Sequence, residues 1–207
     1  MKNLLKFYIG GNWISPLSPL TMPVLNPATE IEVASVAMGN EDDVNRAVAA
    51  AKHAWESFSK TSKAERLQLL SRLKIETEKR FEDLAQAMRI EMGAPISMAR
   101  DAQADAAIGH LNGFMEALKN LDSKKVLETG DIVLKEPIGV CGLITPWNWP
   151  INQIALKVIP VLAAGCTCVL KPSEHTPISA MIYAEIIHEA GYPEGVFNLV
   201  NGDGPTV

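Results

Sequence analysis

Lys171 and Glu174, in the segment KPSEHTP (171–177), are the most chemically pointed residues of the chain. The lysine leaves an apolar run, TCVLK (167–171), and the carboxylate follows three residues later, held between Pro172 and Pro177. A carboxylate placed this way can accept hydrogen bonds from the 2′ and 3′ hydroxyls of a ribose and repels a 2′-phosphate. The ammonium can bond the same sugar or balance the carboxylate. Both residues read equally well as a solvated ion pair on a loop, an arrangement of small energetic consequence.

Two further stretches carry polar groups out of apolar surroundings. In ITPWNWPINQIALK (144–157), Asn148 stands between Trp147 and Trp149, and Lys157 is the lone charge. A turn accounts for the prolines and asparagines, though not for the whole arrangement. In NGDGPT (201–206), Gly202 and Gly204 permit close backbone approach to a ligand. The usual dinucleotide fingerprint would require a further glycine where Val207 stands, and would follow the first strand, where TPWNWP has none. A dinucleotide bound here uses a nonstandard route.

The elements that must position these residues follow from periodicity. GVCGLIT (139–145) is a compact apolar run that reads as a buried strand, PINQIALKVIPVLAAG (150–165) a helix blemished by Pro160, and TCVLK a second strand. TPISAMIYAEIIHEAG (176–191) is a helix with Thr176 at the cap, Pro177 at its first position and Gly191 past its end. VFNLV (196–200) is a third strand. The order β-α-β-α-β, with strands starting roughly thirty residues apart, predicts parallel strands, right-handed crossovers and a sheet covered on both faces. Ligands then bind beyond the carboxyl ends of the strands, where the three loops gather.

Residues 40–121 read as helical. Asn40 caps the first helix, with Glu41, Asp42 and Asp43 in its first turn; Ser62 and Glu65 form a capping box that opens a second helical stretch ending near Gly93-Ala94-Pro95; a third runs from about Ile96 to Leu121. Ahead of them, FYIGGNWISP and PVLNPATEIEVASV read as short strands around Gly-Asn and Asn-Pro turns. GDIVLKEPIGV, interrupted by Pro137, reads as an extended arm or edge strand.

Composition excludes several classes. With 47% hydrophobic and 21% charged residues the chain can build a real core, and a net charge of −5 without a basic block argues against nucleic acid. Pro137–Leu156 is uncharged over twenty residues, but its three prolines, two asparagines and a glutamine argue against a membrane span. Nothing at the amino terminus reads as a secretory signal. Three cysteines, Cys141, Cys166 and Cys168, fit a reducing cytoplasm and read as packing residues; the four histidines form no cluster, and no metal is expected.

PWNWP, then AAGCTCVLKPSEHTP, then GYPEGVFNLVNGDGP closely resemble the NAD(P)-dependent aldehyde dehydrogenase family, and NPATEIEVASV and EDDVNRAVAAAKHAWESF extend the likeness over nearly the whole chain. The resemblance implies an α/β fold, with an N-terminal helical region and a partial Rossmann-like parallel sheet. It divides the chain into N-terminal strands and helices of a cofactor-binding domain (1–118), an oligomerisation-type arm (119–137) and a βαβαβ NAD-binding segment (138–207). It implies oxidation of a small-molecule aldehyde to a carboxylate through a covalent thiohemiacetal and thioester, in a homo-oligomer.

Residue by residue, Asn148 matches the family's oxyanion-hole amide, which stabilises charge growing on the aldehyde oxygen. Ile144, Thr145, Pro146 and Trp147 match positions lining the cofactor. Lys171, Pro172, Ser173 and Glu174 match the adenosine-ribose segment, favouring NAD over NADP. Gly204 and Pro205 match the adenine-pocket turn. Lys157 matches a lysine given a supporting charge-relay role in some members, and reads equally as a structural ion-pair partner. The family's nucleophilic cysteine and general-base glutamate are not matched, so the chain is expected to be an amino-terminal portion inactive alone. The alternative is a noncatalytic nucleotide-binding or oligomeric interaction module that retains the fold.

Overall fold

Helix α1 (Glu41–Phe58) begins where Asn40, in extended backbone, accepts a hydrogen bond from the Asp43 N–H at 3.1 Å. Its buried positions Ala47, Ala51, Ala54 and Phe58 form one stripe of mostly small residues, which lets the helix lie close on a sheet. In the computed structural model, which describes residues 3–207, that sheet has five strands. They are β1 (Phe7–Ile9), β2 (Asn12–Ile14), β7 (Val140–Ile144), β8 (Thr167–Lys171) and β9 (Phe197–Leu199), in the order β2-β1-β9-β8-β7. Strands β7, β8 and β9 are parallel, as expected, and are joined by α6 (Pro150–Ala163) and α7 (Pro177–Glu189).

The sheet is covered on both faces. Val169 and Val200 point toward α1 and pack with Phe7, Ala47 and Ala51, while Cys168, Leu170, Phe197 and Leu199 join the larger core under α6 and α7. All five residues of β8 are buried, fitting its central place. Strand β7 departs from the expected buried strand: only Leu143 is buried, and Gly142 and Ile144 are exposed. An apolar run does not say how many neighbours a strand has, and among the described residues β7 pairs with β8 alone.

The amino-terminal hairpin adds two antiparallel strands to the parallel set, Tyr8 facing Leu199. Asn198 locks this junction. Its Oδ1 accepts from the Gly10 N–H at 2.9 Å, and its Nδ2 donates to the carbonyls of Cys168 at 3.1 Å and Gly195 at 2.8 Å. Gly195, at φ +79, lets the backbone pass under α1, because a Cβ there would stand 2.7 Å from the Ala50 carbonyl oxygen.

A separate hairpin, β3 (Thr21–Asn26) with β4 (Ile31–Ala37), turns at the expected Asn-Pro, where the Ala28 N–H bonds Asn26 Oδ1 at 2.9 Å. The second helical stretch opens on the expected Ser62–Glu65 capping box but divides in two, α2 (Lys63–Lys79) and α3 (Phe81–Glu91). Arg80 sits at the break with φ −102 and ψ 14, its guanidinium paired to Asp83 and to Glu185 of α7. The ion pair anchors the bend that lays α3 against α7, a tertiary cause that helical spacing does not report. The third stretch is α4 (Ile96–Met98), a π-helical segment (Ala99–Ala104) and α5 (Asp105–Lys119). Helix α6 runs through Pro160; the carbonyl that loses its donor belongs to Leu156, which is exposed and open to water.

Residues 124–134 form a hairpin, β5 (Lys124–Val126) with β6 (Ile132–Leu134), whose six strand residues are all exposed. Among the described residues no helix is long and apolar enough to cross a membrane. Replacing Asn198 by Leu takes the side-chain acceptor from the Gly10 N–H and the side-chain donor from the Cys168 and Gly195 carbonyls, the first of which keeps its ladder bond. At roughly 1–3 kcal/mol for an unsatisfied buried group, the expected loss is about 2–4 kcal/mol, read from urea unfolding midpoints.

Candidate functional site

The parallel register brings the strand ends level. Ile144 at the end of β7 lies beside Lys171 at the end of β8, and the Val200 N–H just after β9 bonds the Leu170 carbonyl at 3.0 Å. The three loops therefore leave from one edge. The Thr145 N–H donates to the Lys171 carbonyl at 3.2 Å, tying the first loop to the second.

Lys171 ties the second to the third. The residue is 8% exposed, and its ammonium donates to the Gly202 carbonyl at 2.7 Å, the Pro172 carbonyl at 3.2 Å and Glu174 Oε2 at 3.4 Å. Three acceptors match the three N–H bonds of an ammonium, so this lysine is a strap as well as a charge partner. Any bond it makes to a ligand must replace one of these, the 3.4 Å contact being the weakest. Glu174 is half-buried and keeps open lone pairs at the edge; a solvated loop pair does not describe a cation buried this deeply.

Around this pair Pro172 and Ser173 are buried, and Ser173 Oγ accepts from the His175 N–H at 3.3 Å. Ile144 and Trp147, 66% and 56% exposed, present apolar surface at the edge beside the exposed Pro146 and Asn148, while Thr145 is buried. Gly204 and Pro205 form an exposed turn closed by Thr206 bonding Asp203. The glycines differ: a Cβ on Gly202 would collide with the Val207 side chain, whereas nothing lies near Gly204. The chain thus uses the bare face of Gly202 for its own packing, and only Gly204 remains open to a ligand. Lys157 stands apart, half-buried on α6 about two turns beyond the loop, and makes no ion pair among the described residues.

Trp147, His175 and Thr176 line a cavity of about 430 Å³ with Pro27, Glu91 and Met92, which joins the first two loops to the β3–β4 hairpin. A larger hollow of about 660 Å³ lies between α3, α7 and Trp13 and contains none of the residues nominated by sequence. The chemistry is better placed at the strand ends, where polar groups from separate loops converge.

Burial raises the thiols of Cys141 and Cys168, the second far above the ordinary range, and this disfavours the thiolate a nucleophile needs. Cys166 is buried, and none of the three is bridged. Among the described residues no group of His, Cys, Asp and Glu could hold a metal ion.

The residue that sequence reading missed is Glu91. Thr176 stands at the start of α7 but makes no side-chain cap. Glu91, 3% exposed at the end of α3, does so instead: Oε2 accepts from the Ile178 N–H at 2.5 Å and Oε1 from the Ser179 N–H at 2.9 Å. The only sequence signal was an acidic residue before the Gly93-Ala94-Pro95 stop, which does not name a partner 87 residues away.

The aldehyde dehydrogenase family profile matches residues 13–207. A 3-succinoylsemialdehyde-pyridine dehydrogenase of a Pseudomonas species is 49% identical over all of this chain and 43% of its own length, and a putative aldehyde dehydrogenase of Staphylococcus saprophyticus is 45% identical over the same shares. Among solved structures, a mutant aldehyde dehydrogenase C from Pseudomonas syringae in complex with NAD+ and octanal superposes with TM-score 0.96 at 51% identity, over 99% of this chain and 42% of that one. The aldehyde dehydrogenase of Bartonella henselae does so with TM-score 0.97 at 47% identity, over 100% and 44%. The chain belongs to the aldehyde dehydrogenase family, and it spans about 43% of the length of these curated relatives.

Burial pushes the Glu91 carboxyl up to about 7 from 4.5, against the Ser179 and Ile178 hydrogen bonds that pull it down. The folded chain then holds this proton more tightly than the unfolded one. The contribution is fully present below about pH 4.5 and is lost as pH rises to about 7. Urea midpoints of the parent chain should fall relative to Glu91→Gln across that window; a constant difference between the two would contradict it.

Proposed function

We propose that this chain carries the dinucleotide-holding part of an aldehyde dehydrogenase that oxidises an aldehyde to its carboxylate with NAD. The observation that carries the reading is the Lys171–Glu174 pair, strapped to Gly202 at the common edge of three parallel strands. A nicotinamide dinucleotide, when bound, accepts the hydride. The residues present fit it: Glu174 offers a carboxylate to a ribose diol, Lys171 fixes that carboxylate, and the exposed Trp147 and Ile144 offer apolar surface. Gly204 and Pro205 leave an open turn for an adenine. NAD is preferred to NADP because a 2′-phosphate would meet the Glu174 charge.

In this reading Asn148 supplies a neutral amide N–H to the aldehyde oxygen, an interaction that strengthens as charge develops there. Trp147, Trp149 and Pro150 restrict the loop that holds it. Lys157 keeps only a supporting role at a distance, because its place on α6 separates it from the Lys171 cluster. The exposed β5–β6 hairpin, within residues 119–137, is the surface we assign to contact between subunits of a homo-oligomer. The three cysteines are packing residues, so the chain alone does not form the covalent intermediate.

Calorimetric titration of the chain with NAD and NADP tests this. NAD should bind more tightly than NADP, and Glu174→Ala should weaken NAD about tenfold or more while narrowing the difference, since a hydrogen bond to a charged group contributes about 1.5–3 kcal/mol. Incubation with aldehydes and NAD should give no NADH. Absence of NAD binding by the parent chain would favour an interaction module, and steady turnover would refute the assignment of the cysteines.

A further inference from the structure

We propose that Glu91 is a positioning residue for the dinucleotide loop: from the end of α3 its carboxylate caps α7 and so fixes the segment 172–176 that presents Glu174. The use made of Glu174 rests on the NAD reading above; the mechanical claim does not.

Pro177 occupies the first position of α7, so the first amides able to donate are those of Ile178 and Ser179. These are the donors an N-cap side chain ordinarily satisfies. Thr176 has the position and a hydroxyl, yet makes no such bond, and both donors go to one carboxylate 87 and 88 residues away. A local cap would stabilise the helix equally well. What the distant one adds is a fixed relation between α3 and the start of α7.

That relation bears on the loop because the loop is short. Five residues separate the end of β8 at Lys171 from the start of α7 at Pro177. Inside it the Thr176 N–H bonds the Ser173 carbonyl at 3.2 Å and the His175 N–H bonds Ser173 Oγ at 3.3 Å. One end is held by the sheet and by the Lys171 strap to Gly202. The other end is held only as well as the first turn of α7 is held. Glu91 also borders the cavity lined by Trp147, His175 and Thr176, so the cap forms part of the wall behind the first two loops. A buried carboxylate is expensive without partners, and its two bonds here are to backbone amides whose placement decides where Glu174 stands.

The test is hydrogen exchange on the unliganded chain, followed by NAD titration of the same proteins. Glu91→Ala should speed exchange at Ile178, Ser179 and residues 173–176 by about fivefold to tenfold, the effect of losing one cap, with Met181–Ile187 little changed. NAD affinity should fall by a similar factor. The double variant E91A, T176D caps α7 locally without the tie to α3, so it should recover slow exchange at Ile178 and Ser179 but neither the protection of 173–176 nor NAD affinity. Glu91→Gln, which keeps one acceptor oxygen, should fall between and serves if Glu91→Ala does not fold. Leu118→Ala, a core cavity in α5, controls for general loss of stability and should leave loop exchange and affinity alone. Unchanged exchange at 173–176 in Glu91→Ala and Glu91→Gln, a uniform rise over the whole chain, or full recovery of loop protection and affinity in the double variant would each overturn the proposal. A parent chain that fails to bind NAD would refute the dinucleotide reading, while the exchange data would still decide the cap.

Discussion

An ammonium buried at the end of a central strand must find acceptors at once, because a charge out of water is costly until it is paired and hydrogen-bonded. Lys171 meets this condition with the carbonyls of Pro172 and Gly202 and with Glu174. The first of these is local; the bond to Gly202 crosses 31 residues and pulls the loop after β9 onto the loop after β8. Because Ile144 is in register with Lys171, the loop after β7 starts at the same level. Strand register and one saturated cation thus make a single edge out of three loops, and every polar group of the candidate site is reached from it.

The parts of this arrangement visible in the sequence are those decided within a few residues. Asn40, the Ser62–Glu65 box and the Asn26-Pro27 turn hold their expected roles because each bonds backbone two or three positions away. Gly191, at φ +72, sits past α7 where a left-handed residue was expected. The alternation of strand and helix after residue 139 is legible for the same reason, as the period of apolar residues changes with the local element. Lys171 and Glu174 were also legible, as a pair, from their spacing.

What was hidden depends on distant partners. Tyr8 pairs with Leu199 across the sheet, and nothing in FYIGGNWIS distinguishes a free hairpin from one that extends a parallel sheet. Arg80 stands at a break in a helical pattern, where Glu185, on another helix, accepts its guanidinium. The apolar run of β7 reads as interior although among the described residues one side has no neighbouring strand. Gly202 looked like room for a ligand and is filled by Val207. Thr176 carried the local signal of a cap while Glu91 performs it. At Tyr8, Arg80, Gly202 and Thr176 a sound local rule was overridden by a tertiary contact.

The two carboxylates around the second loop show how environment divides the work. Glu174 and Glu91 have the same side chain, but the first accepts from an ammonium and the second from two backbone amides. Glu174 is half-buried beside an ammonium that already has two carbonyl partners, so its outer oxygen remains available to hydroxyl donors from solvent or ligand. Glu91 is shut away from water with both oxygens committed to amides, and burial raises its pKa to about 7. A group in the first situation can recognise something; a group in the second can only hold something in place. Exchanging their surroundings would exchange their roles, which is why burial and partner identity, more than residue type, assign function at this edge.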